Sequence, residues 1–222
     1  MPKPTIEQLR QQLAGSVITP ADADYDEARA VYNAMIDRRP AAIVRVTSAG
    51  DVAIAIRHAR EAGLPVAVRG GGHSVPGYGT IDDGIVIDLS DMRGVSVDPG
   101  ARTATAQGGA TWGDYNAATH EHGLASTGGI VSTTGVAGLT LGGGIGYLTR
   151  GMGLACDNLI GAEVVTADGE VVTASADENA DLLWALKGGS GNFGVVTSLT
   201  FRVRELSDIY GGPMFFELDD AA

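Results

Sequence analysis

Glycine makes up 33 of the 222 residues, about 15%, roughly twice the usual share of about 7%. There is no G-X-Y period, so a collagen-like chain is excluded. Three clusters stand out: 70–72 with Gly77, the run 128–146, and 188–194. Glycine at such density serves turns and close approaches, where backbone N–H groups converge on a phosphate or a flat ring that a Cβ would obstruct. Hydrophobic residues make up 44% of the chain, enough to bury a core, which excludes a disordered chain.

Periodicity places the first cluster. Residues 1–40 read as a helical segment, one helix opening at Thr5-Ile6-Glu7-Gln8-Leu9 and another over Tyr25 to Asp37. Ala42 to Val46 is a short apolar strand. Val52, Ala55, Ile56 and Ala59 follow at helical spacing, with Thr47 or Ser48 as N-cap and Gly63 as the stop. Leu64 to Val68 is a second strand. A βαβ unit of this size makes its strands parallel and places ligands beyond their carboxyl ends, where Arg69-Gly70-Gly71-Gly72-His73-Ser74 stands. After Asp91 the pattern turns antiparallel. Val95–Val97 and Thr103–Ala106 flank Asp98-Pro99-Gly100, and Glu163–Thr166 and Val171–Thr173 flank Asp168-Gly169. Helices are expected over Trp112–His122 and Ala180–Lys187, each ending at a glycine, and a last strand alternates Leu199, Phe201 and Val203. The expectation is an α+β chain of two α/β lobes, 41–95 with a small parallel sheet and 96–206 with a mostly antiparallel one. Residues 207–222 look like the start of a further element.

Fifteen lysines and arginines against 27 aspartates and glutamates give a net charge of −12, which argues against nucleic acid or an anionic membrane as partner. One cysteine, Cys156, excludes an internal disulfide and a multi-cysteine metal site. No apolar run reaches the roughly 18 residues of a membrane span, and Met1–Asp22 lacks a signal-peptide core, so a cytoplasmic location is expected.

Among single residues His73 is the sharpest. A neutral imidazole in a glycine loop can act as nucleophile, ligand or base, although a loop histidine is often none of these. His120 and His122 suit a helix C-terminus better than a metal, and His58 reads as structural. Cys156 reads as a small buried hydrophobe, and Trp112, Tyr115 and Trp184 as core. Gly189-Ser190-Gly191-Asn192-Phe193-Gly194 spells G-x-G-x-x-G, but it follows a helix and precedes a strand. The dinucleotide fingerprint needs the reverse order, so a Rossmann site is rejected.

Four stretches in one order complete the picture: Val68-Arg69-Gly70-Gly71-Gly72-His73-Ser74, 135–146 (GVAGLTLGGGIG), 153–158 (GLACDN) and 184–196 (WALKGGSGNFGVV). Together they resemble the FAD-binding domain of the vanillyl-alcohol-oxidase-type, or PCMH-type, flavoproteins, closest to the berberine-bridge-enzyme-like and 6-hydroxy-D-nicotine-oxidase-like oxidases. The resemblance implies FAD bonded to His73 through its 8α-methyl, with a neutral imidazole attacking that carbon. It implies a cradle for the pyrophosphate from Arg69, Gly70, Gly71, Gly72, His73, Ser74 and Gly77. Thr133, Gly135, Val136, Gly138, Gly142, Gly143 and Gly146 would border the flavin and its ribityl chain, with Asn158 nearby and Gly194 and Val196 on the adenosine side. Val131 stands where doubly attached relatives have a cysteine, so a single link is expected and no flavin role for Cys156. Val136 matches the position that governs oxygen approach, which leans towards an oxidase. The implied activity is hydride transfer from a small organic molecule to flavin, with O2 reduced to H2O2. The substrate domain that supplies acid–base groups is expected beyond this chain, so no catalytic residue is assigned here. The exposed docking face should favour self-association. Two alternatives stay open: a flavin-binding module without turnover, and a cell-wall precursor reductase sharing the FAD fold, which His73 disfavours.

Overall fold

A computed structural model describes residues 4–206 and Phe215. The expected further element at 207–222 lies, apart from Phe215, outside the described residues. No helix among those described is long and apolar enough to cross a membrane.

The first lobe runs α1 (Ile6–Gln12), β1 (Ser16–Ile18), α2 (Tyr25–Ala28), β2 (Ala42–Arg45), α3 (Ala49–Ala62), β3 (Val66–Arg69) and β4 (Ile85–Asp88). Thr5 and Gln8 close a capping box on α1, Ser48 caps α3, and Gly63 ends α3 at φ 69°. The sheet order is β1-β2-β4-β3. β2 and β3 are parallel as expected but are not neighbours, because β4 lies between them and pairs in parallel with both; β1 is an antiparallel edge. The 1–40 segment is therefore not simply helical: it contributes β1. The expected helix over 25–37 also stops at Ala28. The carbonyls of Ala28 and Ala30, which a longer helix would use internally, accept instead from the Arg69 guanidinium at 2.7 and 3.3 Å.

The second lobe runs β5 (Val95–Asp98), β6 (Thr103–Gln107), α4 (Trp112–His120), β7 (Leu124–Ala125), α5 (Val136–Leu141), α6 (Thr149–Met152), β8 (Leu159–Val165), β9 (Val171–Ser175), α7 (Ala180–Leu186), β10 (Val195–Arg202) and β11 (Arg204–Glu205). Its five-stranded sheet, β5-β6-β10-β8-β9, is antiparallel throughout. Trp112 and Tyr115 are fully buried against Phe201 in its core. Trp184, expected in the core, is 80% exposed: Leu183 and Leu186 form the buried stripe of α7 and leave the next position facing out.

α3 ties the lobes together. Its apolar side chains share a core with β2 and β4 and with Val165 and Val195 of the second sheet. Arg57 donates to the Gly169 carbonyl, and Arg60 pairs with Asp168, both at the β8–β9 turn.

Candidate cofactor-binding site

The lobes meet along a line of glycines. A Cβ on Gly71 would lie 2.3 Å from the Gly135 nitrogen, and one on Gly135 would lie 2.6 Å from the Gly71 nitrogen. Loop 70–74 and the N-terminus of α5 therefore touch backbone to backbone, a contact only glycine permits. A Cβ on Gly70 would meet the Gly108 carbonyl at 3.0 Å, and one on Gly108 the Val196 carbonyl at 2.4 Å. The first cluster, α5 and the start of β10 thus form one continuous seam.

The parallel strands deliver charge to that seam. Arg45, Asp88 and Arg69 end β2, β4 and β3 and stand in register across the sheet, so the three side chains share a face. Asp88 accepts from Arg69 Nη2 at 2.7 Å, with both side chains under a tenth exposed. Its other neighbour is Arg45, whose Nε is 3.8 Å away. That Nε is buried and has no hydrogen-bond partner among the described residues. A cleft of about 260 Å³ opens here, lined by Arg45, Arg69, Asp88, Glu27, Ser90, Tyr32 and the backbone of 70–72. Two guanidiniums and two carboxylates line the cleft; Asp88 is spent on the buried Arg69 and Glu27 is exposed, which leaves Arg45 as the buried-edge cation facing it. Neither Arg45 nor Asp88 is visible as a site residue in sequence, because β4 must first be placed between β2 and β3.

His73 sits on the same loop. Its Nε2 is 3.0 Å from Thr133 Oγ1 and its Nδ1 is 3.3 Å from Thr134 Oγ1. A hydroxyl can donate or accept, so the pair serves either neutral tautomer. The Tyr32 ring stacks on the imidazole at 4.0 Å between centroids and 16° between planes. Burial pushes the His73 pKa below its ordinary value, which favours the neutral, nucleophilic form.

The remaining expected positions divide into two groups. Gly138, Gly142 and Gly143 lie on α5 and just beyond it, and a Cβ on Gly138 or Gly143 would meet nothing within 4 Å. Such open backbone fits a ligand that packs flat. The other group is engaged inside the protein. Gly77 packs on Ile36, Gly146 on the Gly128 carbonyl, and Gly194 on the Val165 carbonyl. The Val136 and Val196 side chains are buried in the second core. Asn158 donates to the Met152 and Leu154 carbonyls, and the Arg69 side chain is spent on Asp88 and the 28–30 turn. Ser74 Oγ accepts from the Tyr78 N–H. Cys156 is buried, and burial raises its thiol pKa, as for an inert structural cysteine.

A family model described as an FAD binding domain matches residues 40–175. The chain belongs to this FAD binding domain family. It is 42% identical over 194 residues to (R)-6-hydroxynicotine oxidase of Paenarthrobacter nicotinovorans, covering 87% of this chain and 42% of that protein. It is 38% identical to the uncharacterized FAD-linked oxidoreductase YgaK of Bacillus subtilis, covering 90% of this chain and 46% of the relative. Among solved structures, 6-hydroxy-D-nicotine oxidase of Arthrobacter nicotinovorans superposes with TM-score 0.86 at 41% identity, over 87% of this chain and 43% of that one. Physcomitrella patens BBE-like 1 superposes at 0.87 and 34% identity, over 91% and 45%. The α+β fold is thus that of the PCMH-type FAD domains. The chain spans less than half the length of the curated relatives it matches.

The residues present fit FAD. The Arg45 guanidinium with its unpartnered buried nitrogen and the 70–72 amides suit a diphosphate, and the open glycine face of α5 suits a planar ring.

Proposed function

We propose that this chain is the flavin-binding part of an FAD-dependent oxidase in which His73 carries FAD through a single covalent link. The observation that carries the reading is His73 itself: an imidazole, hydrogen-bonded at both nitrogens, on the seam between two glycine-bearing loops and one residue from the anion-suited cleft. A glucooligosaccharide oxidase of Acremonium strictum, 37% identical over the matched region, is described with a 6-S-cysteinyl, 8α-N1-histidyl FAD. Here Val131 stands at the position expected for a second link and Cys156 is buried, which supports histidyl attachment alone.

FAD, when bound, would supply two-electron oxidation of a C–H beside oxygen or nitrogen of a small organic substrate, with O2 as the final acceptor. This chain's residues hold and orient it. Arg45 and the 70–72 amides bind the diphosphate, the α5 face supports the ring system, and Thr133 and Thr134 hold His73. The acid–base groups belong to a further substrate domain. Ile130, Val131, Ile145 and Tyr147 on the second glycine run, and Val75 and Tyr78 beside the first, are exposed and supply apolar surface for flavin and for that domain.

The chain's coverage of less than half of its relatives favours a second reading, a flavin-binding module with no turnover of its own. Acid denaturation of the purified protein, followed by washing, visible spectroscopy and intact mass of the pellet, tests the first. A yellow pellet with an added FAD mass, lost in His73→Ala, is expected. A colourless pellet from a yellow native sample overturns covalent attachment. Bound flavin that oxidises no alcohol, sugar or amine decides for the passive module.

A further inference from the structure

We infer that the segment 28–38, which lies upstream of the matched family region, is part of the attachment machinery, with Tyr32 as the positioning residue that sets the plane of the His73 ring. The inference rests on the reading of His73 as the attachment residue.

The segment straps the His73 loop along its length. Arg69 donates to the carbonyls of Ala28 and Ala30. The Tyr32 N–H donates to the Gly72 carbonyl at 3.1 Å, and Asn33 Nδ2 to the Val75 carbonyl at 3.0 Å. The Ile36 side chain lies under Gly77, where a Cβ would come within 2.8 Å of it. Arg38 Nη1 donates to the carbonyls of Gly77 and Thr80 at 3.2 and 2.8 Å. The loop between β3 and β4 is therefore held by backbone and side chains from residues that precede β2.

Tyr32 adds what the threonines cannot. Hydrogen bonds at Nε2 and Nδ1 lie in the ring plane and define one axis through the imidazole. The ring remains free to rock about that axis. A second ring stacked on one face, 4.0 Å away and 16° from parallel, removes that freedom. A nitrogen lone pair held in one direction is what an in-line bond to an incoming carbon requires. This also gives Tyr32, 70% exposed and outside both cores, a task at that position. The bond in question joins an imidazole nitrogen to the 8α-carbon. The ring N–H proton and one methyl hydrogen leave with two electrons, which reduce dioxygen to hydrogen peroxide.

The test compares Tyr32→Ala and Tyr32→Phe with the wild-type chain. Apo protein is incubated with FAD in air; acid-stable flavin is followed against time, noncovalent FAD affinity is measured by fluorescence quenching, and melting is recorded. The His73 ring protons of the apo protein are followed by NMR. Tyr32→Ala is expected to slow acid-stable incorporation at saturating FAD about tenfold or more, beyond whatever noncovalent affinity it loses at the cleft, with its melting temperature kept. Its His73 ring protons move downfield as the stacked ring is lost. Tyr32→Phe keeps the stack and is expected within about twofold of wild type in every readout. An unchanged incorporation rate in Tyr32→Ala overturns the inference. So does a loss of melting temperature that accounts for the slowing, which marks a structural role, or a Phe variant as slow as the Ala variant. A wild-type chain that binds FAD but yields no acid-stable flavin overturns the attachment reading itself, and the inference with it, before any variant is compared.

Discussion

Gly138→Ala separates the demands of folding from those of the cofactor. Gly138 lies inside α5, and an added methyl meets nothing within 4 Å. Replacing glycine by alanine inside a helix is worth about 0.5–1 kcal/mol, because the unfolded chain loses conformational freedom it would otherwise surrender on folding. For a chain of this size, that gain raises the melting temperature of the apo protein by about 1–4 °C. If the flavin rests on this face, the same methyl occupies the space the ring needs. Overpacking of that kind costs about 1–3 kcal/mol, or roughly 5- to 150-fold in FAD affinity. The assay is thermal melting of apo protein beside FAD titration by fluorescence quenching, both in a His73→Ala background so that attachment does not obscure the equilibrium. Gly151→Ala on α6 is the control, since its methyl also meets nothing and its site is not among the flavin positions. A Gly138→Ala protein that melts higher yet binds FAD within twofold of its parent would refute the placement of the flavin on α5. One that melts lower would refute the open-space argument.

Asp88→Asn leaves the buried Arg69 guanidinium without its carboxylate and should cost about 3–5 kcal/mol in denaturant unfolding; a loss under 1 kcal/mol would count against the Arg45–Asp88–Arg69 row as a structural element. Arg45→Gln removes a charge-assisted hydrogen bond to phosphate worth about 1.5–3 kcal/mol, so FAD should bind roughly 10- to 150-fold more weakly while riboflavin is unaffected. Equal losses for the two ligands would show that Arg45 does not meet the phosphates. Burial lowers the pKa of both His73 and His58 from the ordinary 6.5, so the unfolded chain binds more protons than the native one as pH drops. Stability is therefore full above about pH 6.5 and declines below it, before Asp51, held by the Ala14 and Thr47 amides, and Asp114, paired with Arg93, whose pKa values are lowered from 3.8, begin to protonate. Urea midpoints at pH 7.5, 6.5 and 5.5 check this, and a flat profile refutes it. Cys156 should resist a thiol reagent at pH 8 until the protein unfolds, and Cys156→Ala should keep its flavin; fast native labelling would contradict the burial of the thiol.

The parts legible in the sequence are those whose physics is local. The cap and stop of α3, the glycine loop at a strand's carboxyl end and the hairpin turns at Asp98-Pro99-Gly100 and Asp168-Gly169 depend on a few adjacent residues, and each stands where the pattern puts it. What escaped depends on residues far apart in the chain. Ile85 to Asp88 is a short apolar run like many others until it inserts between β2 and β3, and only then do Arg45, Asp88 and Arg69 become one row. The 25–37 stretch has helical spacing but gives its carbonyls to Arg69 and an N–H to Gly72, about 40 residues on, so tertiary hydrogen bonds override its propensity. Tyr32 is invisible as a site residue for the same reason. Trp184 misled because an aromatic at helical spacing reads as core, although the stripe that α7 buries is set by Leu183 and Leu186.

A net charge of −12 and a diphosphate ligand look incompatible only if charge acts as a sum over the chain. At physiological ionic strength, exposed charges beyond about 8 Å are largely screened, so the groups lining the cleft decide what it can hold. Asp88 is already committed: Arg69 neutralises it in a buried pair, and its second oxygen accepts from the Ser90 N–H. That leaves Arg45 and Glu27 facing the cleft beside the backbone of Gly70, Gly71 and Gly72; Glu27 is exposed and screened by solvent, whereas the Arg45 Nε is buried and unpartnered, so the guanidinium is the group an anion meets. Sequence alone suggests that amides carry most of the anion binding. The strand register adds a guanidinium to them, and it does so through an aspartate, because Asp88 on β4 stands between the two arginines that end the flanking parallel strands β2 and β3.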